Sequence, residues 1–101
     1  MISSIFMTYQ ELMAHIAKTA QAKRLSLDWS QQTLSERSGV SFGVIKKFER
    51  TGKISLESLS KIAVVLGSVE EFMGLFKLTS MEEIKSLDEL LEKKKRKRGR
   101  K

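Results

Sequence analysis

Between Ser30 and Gly52 the chain reads SQQTLSERSGVSFGVIKKFERTG, and its reactive groups are cations, hydroxyls and amides rather than nucleophiles or metal ligands. Phe42, Gly43, Lys46, Lys47 and Arg50 follow one another at spacings of three and four, which aligns them on one face of a helix. Three cations on one face suit the chemistry of holding anions, phosphates above all. The plainer reading of the same residues is a solvated helix face, with Phe42 plugging the edge of a core.

A second cationic cluster lies in the tail. Lys93, Lys94, Lys95, Arg96, Lys97, Arg98, Arg100 and Lys101 are eight of the chain's 19 bases, and Glu92 beside them is one of its 12 acids. The whole net charge of +7 therefore belongs to residues 92–101, and the rest of the chain is neutral. Basicity alone says nothing about the body; its own motifs must carry the case. Three readings of the tail stay open: a phosphate-binding arm, a segment that meets an acidic partner surface, or a solubilising end. It buries nothing and is expected to be disordered alone.

Other chemistries are excluded by composition. There is no cysteine and one histidine, so disulfides and the usual zinc sites are ruled out, and no metal or cofactor is expected. His15 reads as a surface residue. No carboxylate cluster, nucleophile–base pair or glycine-rich phosphate loop is present, so no catalytic residue is assigned and the chain is read as not an enzyme. No apolar run reaches the roughly 20 residues of a membrane span, and Met1 to Met7 lacks the features of a signal peptide. The expectation is a cytoplasmic protein, associated with the nucleoid if it binds DNA, with no membrane role.

The elements that must position these residues are helices. Thr8-Tyr9-Gln10-Glu11 is a capping box, and Leu12, Ile16, Ala17 and Ala20 behind it predict a helix from about Thr8 to Lys23. Arg24 to Trp29 reads as a connection. Ser30 caps a short second helix, with Trp29 and Leu34 as a hydrophobic staple and Gly39 as its left-handed end. Ser41 caps a third, to about Arg50, with Val44, Ile45 and Phe48 inward. After Thr51-Gly52-Lys53, Ser55 starts a fourth helix with the stripe Leu59, Ile62, Ala63 and Leu66, closed by Gly67. Ser68-Val69-Glu70-Glu71 reads as a capping box for a fifth, carrying Phe72, Leu75 and Phe76. The expected class is all-α: an apolar segment 1–7, a body 8–78, an amphipathic segment 79–91 with Met81, Ile84, Leu87 and Leu91 on its stripe, and the basic tail 92–101. Leu34, Val40, Ile45 and Phe48 should converge between the second and third helices, leaving the outer face of the third free to enter a major groove.

That stretch resembles the helix-turn-helix of the lambda-repressor-like (Xre) family. The resemblance rests on Ser30-Gln31-Gln32, Leu34, Gly39-Val40-Ser41, Ile45 and Phe48-Glu49, with the helix from Leu56 to Gly67 as the next element, and spans about Thr8 to Phe76. It implies a five-helix DNA-binding domain. SGVSFGVIKKFERTGKISLESLSKIAVVLG with the following EEF..LF is similar, more narrowly, to HipB-type antitoxin regulators. That similarity implies a homodimer that represses its own operon and joins a HipA-like kinase toxin or its accessory protein.

By the same resemblance Gln31 is a phosphate-contacting residue, to which the free N–H groups at its helix start add an anion site. Ser41, Phe42, Gly43, Lys46 and Lys47 stand where bases or nearby phosphates are met, and Lys53 and Ser55 where the backbone is clamped a second time. Many relatives carry Gln, Asn or Arg where this chain has Phe42 and Gly43. Neither makes a bidentate base contact; Phe42 suits a thymine methyl and the lysines guanine N7 or O6, with DNA shape carrying more of the specificity. A palindromic operator on double-stranded DNA calls for a dimer, through Phe72 and Phe76 of the fifth helix, the Met81–Leu91 stripe, or the apolar start. The alternative is a protein-interaction module on a helix-turn-helix scaffold that has lost specific DNA binding.

Overall fold

Three serines decide where three helices begin. Ser30, Ser41 and Ser55 sit in extended backbone, and each Oγ accepts a hydrogen bond from the N–H of Thr33, Val44 or Ser58. Each such cap satisfies a helix-start donor that lacks an intrahelical partner, a contribution of about 1 kcal/mol. The computed structural model describes residues 6–78 and 85–93. Its helices are α1 (Tyr9–Ser26), α2 (Gln31–Ser38), α3 (Phe42–Thr51), α4 (Leu56–Val65) and α5 (Val69–Met73), with residues 85–93 forming a further helix. Among the described residues there is no strand, as the all-α class requires.

Tyr9–Leu75 form one unit, and the described residues on either side of it belong to another. In the first, Ala17 of α1, Leu34 of α2, Val40 of the turn, Ile45 and Phe48 of α3, Ile62 of α4 and Leu66 make a single buried cluster. Ile16, Ala20, Trp29, Ile54, Leu59 and Val65 pack around it. The convergence of Leu34, Val40, Ile45 and Phe48 is therefore as the spacing predicts. Ile45 has no exposed surface and Phe48 only 2%, so α3 is fastened by its inner face and its outer face is left to solvent.

Gly39 closes α2 at φ 80° and Gly52 closes α3 at φ 82°. Gly52 has a second constraint. A Cβ there would lie 2.9 Å from both the Cβ and the backbone oxygen of Met13, so α1 and the end of α3 approach as only glycine permits.

Several expectations are corrected. Val44 is exposed rather than inward, because Ile45 and Phe48 with Glu49 define the buried side of α3. Leu12 is 48% exposed; of the expected stripe Ile16, Ala17 and Ala20 do face the core, and Arg24 continues it. The helix does not stop at Lys23 but runs to Ser26, and the carbonyl of Arg24 accepts from the N–H groups of both Leu27 and Trp29. Ser68 does not cap α5: its side chain makes no cap bond, and its Oγ accepts from Lys23 Nζ at 2.7 Å. Leu75 and Phe76 lie beyond the end of α5 and are exposed.

Candidate nucleic-acid interface

α3 contributes the charged face. Phe42, Gly43, Lys46, Lys47 and Arg50 are all exposed. The spacing turns Gly43, Lys46, Lys47 and Arg50 away from Ile45 and Phe48, whereas Phe42, three residues before Ile45, is open because it is the first residue of the helix. The helix contains one acid, Glu49, and that side chain is only 4% exposed. The solvent face of α3 therefore presents three cations and no carboxylate. Such a face concentrates positive potential where a polyanion would lie.

Glu49 is turned inward by a network that sequence reasoning missed. Arg24 of α1 donates from Nε to Oε2 at 2.8 Å and from Nη2 to Oε1 at 2.9 Å. The third guanidinium nitrogen, Nη1, donates to the carbonyl of Trp29 at 2.7 Å. Gln31 Nε2 adds a bond to Glu49 Oε1 at 2.9 Å, so the start of α2 is tied to the last turns of α3. No buried side-chain nitrogen or oxygen among the described residues lacks a partner. Fully paired in this way, a buried charge avoids the several kcal/mol that an unpaired one costs. One signal in the sequence pointed here. Glu49 stands four residues after Ile45 and next to Phe48, on the core side, where a carboxylate requires a cation.

Gln31 is half-buried and its amide nitrogen is engaged with Glu49, beside the α2 cap at Ser30. Ser41 has its Oγ occupied as the α3 cap, and Ser55 likewise caps α4. Lys53 is exposed in the turn between those helices, where its N–H donates to Thr51 Oγ1. Ser41 thus stands at the start of α3, Gln31 is tied through Glu49 to its last turns, and Lys53 and Ser55 follow its far end. Trp29 packs against the core and holds the Arg37 guanidinium over its ring at 4.6 Å, which accounts for it without a ligand.

Of the tail, Lys93 is described and exposed; Lys94, Lys95, Arg96, Lys97, Arg98, Arg100 and Lys101 lie outside the described residues. Met81 and Ile84 also lie outside them, as do residues 1–5 of the apolar start. Leu87 and Leu91 are exposed on the helix of residues 85–93. Phe72 is half-buried, and with Leu56, Val64, Val69, Met73 and Leu75 it lines a shallow apolar groove along α4 and α5. Among the described residues no group of three His, Cys, Asp or Glu side chains is placed to hold a metal. None of the described helices is long and apolar enough to cross a membrane.

A helix-turn-helix family model matches residues 21–72, just over half of the chain. The match is shorter than the resemblance from Thr8 to Phe76 and leaves out the first turns of α1. No curated protein and no solved structure matches the chain.

Proposed function

The chain belongs to the helix-turn-helix family of DNA-binding transcription regulators, and from that membership we propose that it is a sequence-specific repressor acting as a homodimer. Its finer role is that of the antitoxin and autoregulator of a HipA-like toxin–antitoxin operon. The observation that carries the reading is the face of α3, whose three cations are left unopposed because Glu49 is turned inward onto Arg24. With that face in the major groove, Lys46 and Lys47 reach base edges or the nearest phosphates. Gln31, Lys53 and Ser55 flank it as backbone contacts, and Arg50 adds charge at the far end. The basic tail lies along the duplex as a phosphate-binding arm.

A single helix-turn-helix makes few contacts, and two copies bridging about 34 Å read a palindrome. The apolar groove along α4 and α5, with Phe72 in it, supports dimerisation on that side, and Phe76, Met81, Ile84, Leu87 and Leu91 are the further candidates for a dimer or toxin contact. The rival reading, a protein-interaction module without specific DNA binding, draws on the absence of a bidentate base reader at Phe42 and Gly43.

Fluorescence anisotropy with the DNA directly upstream of the reading frame, against a scrambled duplex at two salt concentrations, separates the two. Tight, salt-sensitive binding that prefers the upstream duplex supports the repressor. Equal binding to both duplexes leaves only tail–phosphate contact, and no binding favours the interaction module. Co-purification with a kinase encoded in the same operon, or its absence, tests the antitoxin role separately.

A further inference from the structure

Glycine in the first turn of a helix normally has a reason within the fold, and Gly43 has none. It is not in the left-handed region, since the positive-φ glycines are Gly39, Gly52 and Gly67. A Cβ built on it meets nothing within 4 Å, so no neighbouring element needs the space. It also weakens the helix, because glycine in a helix costs about 0.5–1 kcal/mol relative to alanine. On either side stand apolar side chains left open to solvent, Phe42 at 41% exposed and Val44 at 38%. Lys46 and Lys47 follow one turn later, so the gap is bordered by two hydrophobes and two cations.

We propose that this first turn of α3 reads the 5-methyl group of a thymine in the major groove, with Phe42 as the contacting side chain and Gly43 as the gap that admits the base edge. The inference rests on the DNA-binding reading and names what that reading recognises. Of the four bases only thymine presents a methyl in the major groove, so an apolar reader beside a bare backbone selects it. A polar side chain at either position would instead seek a donor or acceptor pattern. The lysines one turn on are left to hold phosphates or a neighbouring guanine, and they fix the register in which Phe42 meets its base.

The test starts from the full chain and a random duplex library, selected by binding and sequenced. The selected duplex is then resynthesised with deoxyuridine for each thymine in turn, which removes the methyl and keeps the base pair. One thymine per half-site is expected to be invariant, and its replacement to weaken binding about fourfold, as loss of one buried methyl requires. With Phe42→Ala the same replacement is expected to have no effect. Gly43→Ala is expected to raise the thermal midpoint by about 2–4 °C, yet to weaken binding about tenfold by crowding the contact.

Specific duplexes that tolerate uridine at every position overturn the proposal while leaving the repressor standing, as does a Gly43→Ala protein that binds like the parent. A selection that enriches no sequence overturns the DNA-binding specificity on which both depend.

Discussion

Arg24 and Glu49 meet through two hydrogen bonds, of 2.8 and 2.9 Å, with side chains only 7% and 4% exposed. The pair joins α1 to α3 across the core and clears the outer face of α3 of its one acid. Replacing Arg24 alone strands a buried carboxylate. Arg24→Met is expected to cost about 3–5 kcal/mol of unfolding free energy, measured by urea denaturation. Arg24→Met with Glu49→Leu should recover most of that loss, since two apolar side chains of similar volume leave no charge unpaired. A single variant within about 0.5 kcal/mol of the parent would show that the pair is not holding the helices.

Gly52 should tolerate substitution worse than Gly39, although both have positive φ. Gly39→Ala meets nothing within 4 Å and carries only the left-handed backbone penalty, about 1–2 kcal/mol. Gly52→Ala adds a collision with the backbone oxygen of Met13, which cannot rotate away. Its loss in urea denaturation is expected to exceed that of Gly39→Ala by about 1 kcal/mol or more, and Met13→Ala should not rescue it. Equal losses would mean that α1 yields at no cost.

The serine caps give a graded series. Ser30→Ala, Ser41→Ala and Ser55→Ala should each destabilise by about 1 kcal/mol in thermal or urea unfolding. Ser68→Ala should cost less, because its hydroxyl accepts from Lys23 and caps nothing. A Ser68 variant as damaging as the other three would contradict this difference.

Charge reversal on α3 separates binding from folding. Lys46→Glu with Lys47→Glu is expected to abolish operator binding in anisotropy while the helical circular dichroism stays unchanged. Stability should move by no more than about 0.5 kcal/mol, as is usual for exposed sites. Wild-type affinity in this variant would count against docking through α3.

Truncation before Lys93 tests the arm. Each phosphate neutralised on duplex DNA contributes about 0.9 to the slope of log affinity against log salt. Loss of the tail is expected to weaken binding and to flatten that slope by several such increments. If slope and affinity both stay unchanged, the tail does not lie on DNA.

Much of the fold is written locally. A cap depends on one serine and the backbone three residues on, and a left-handed helix end on one glycine. Ser30, Ser41, Ser55, Gly39 and Gly52 are therefore found by reading along the chain. Ile45 and Phe48 are legible for a similar reason, because helical spacing puts residues three apart on one side, and Leu34 of α2 and Val40 of the turn stand out as the apolar residues that the short motif must bury against them. The outward face of Lys46, Lys47 and Arg50 follows as its complement.

What tertiary structure alone decided lies where a residue's fate depends on a distant partner. Arg24, read as part of a connection, is a core residue because Glu49 of another helix meets it there. Gln31 is drawn into the same network, and Ser68 gives its oxygen to Lys23 instead of its own helix. Val44 is turned outward because Glu49, one turn after Ile45, takes the inward place once Arg24 is there to meet its charge. The physical reason is that a buried ion pair is stable only when both charges arrive with their hydrogen bonds satisfied. Sequence spacing within one helix carries no information about that meeting.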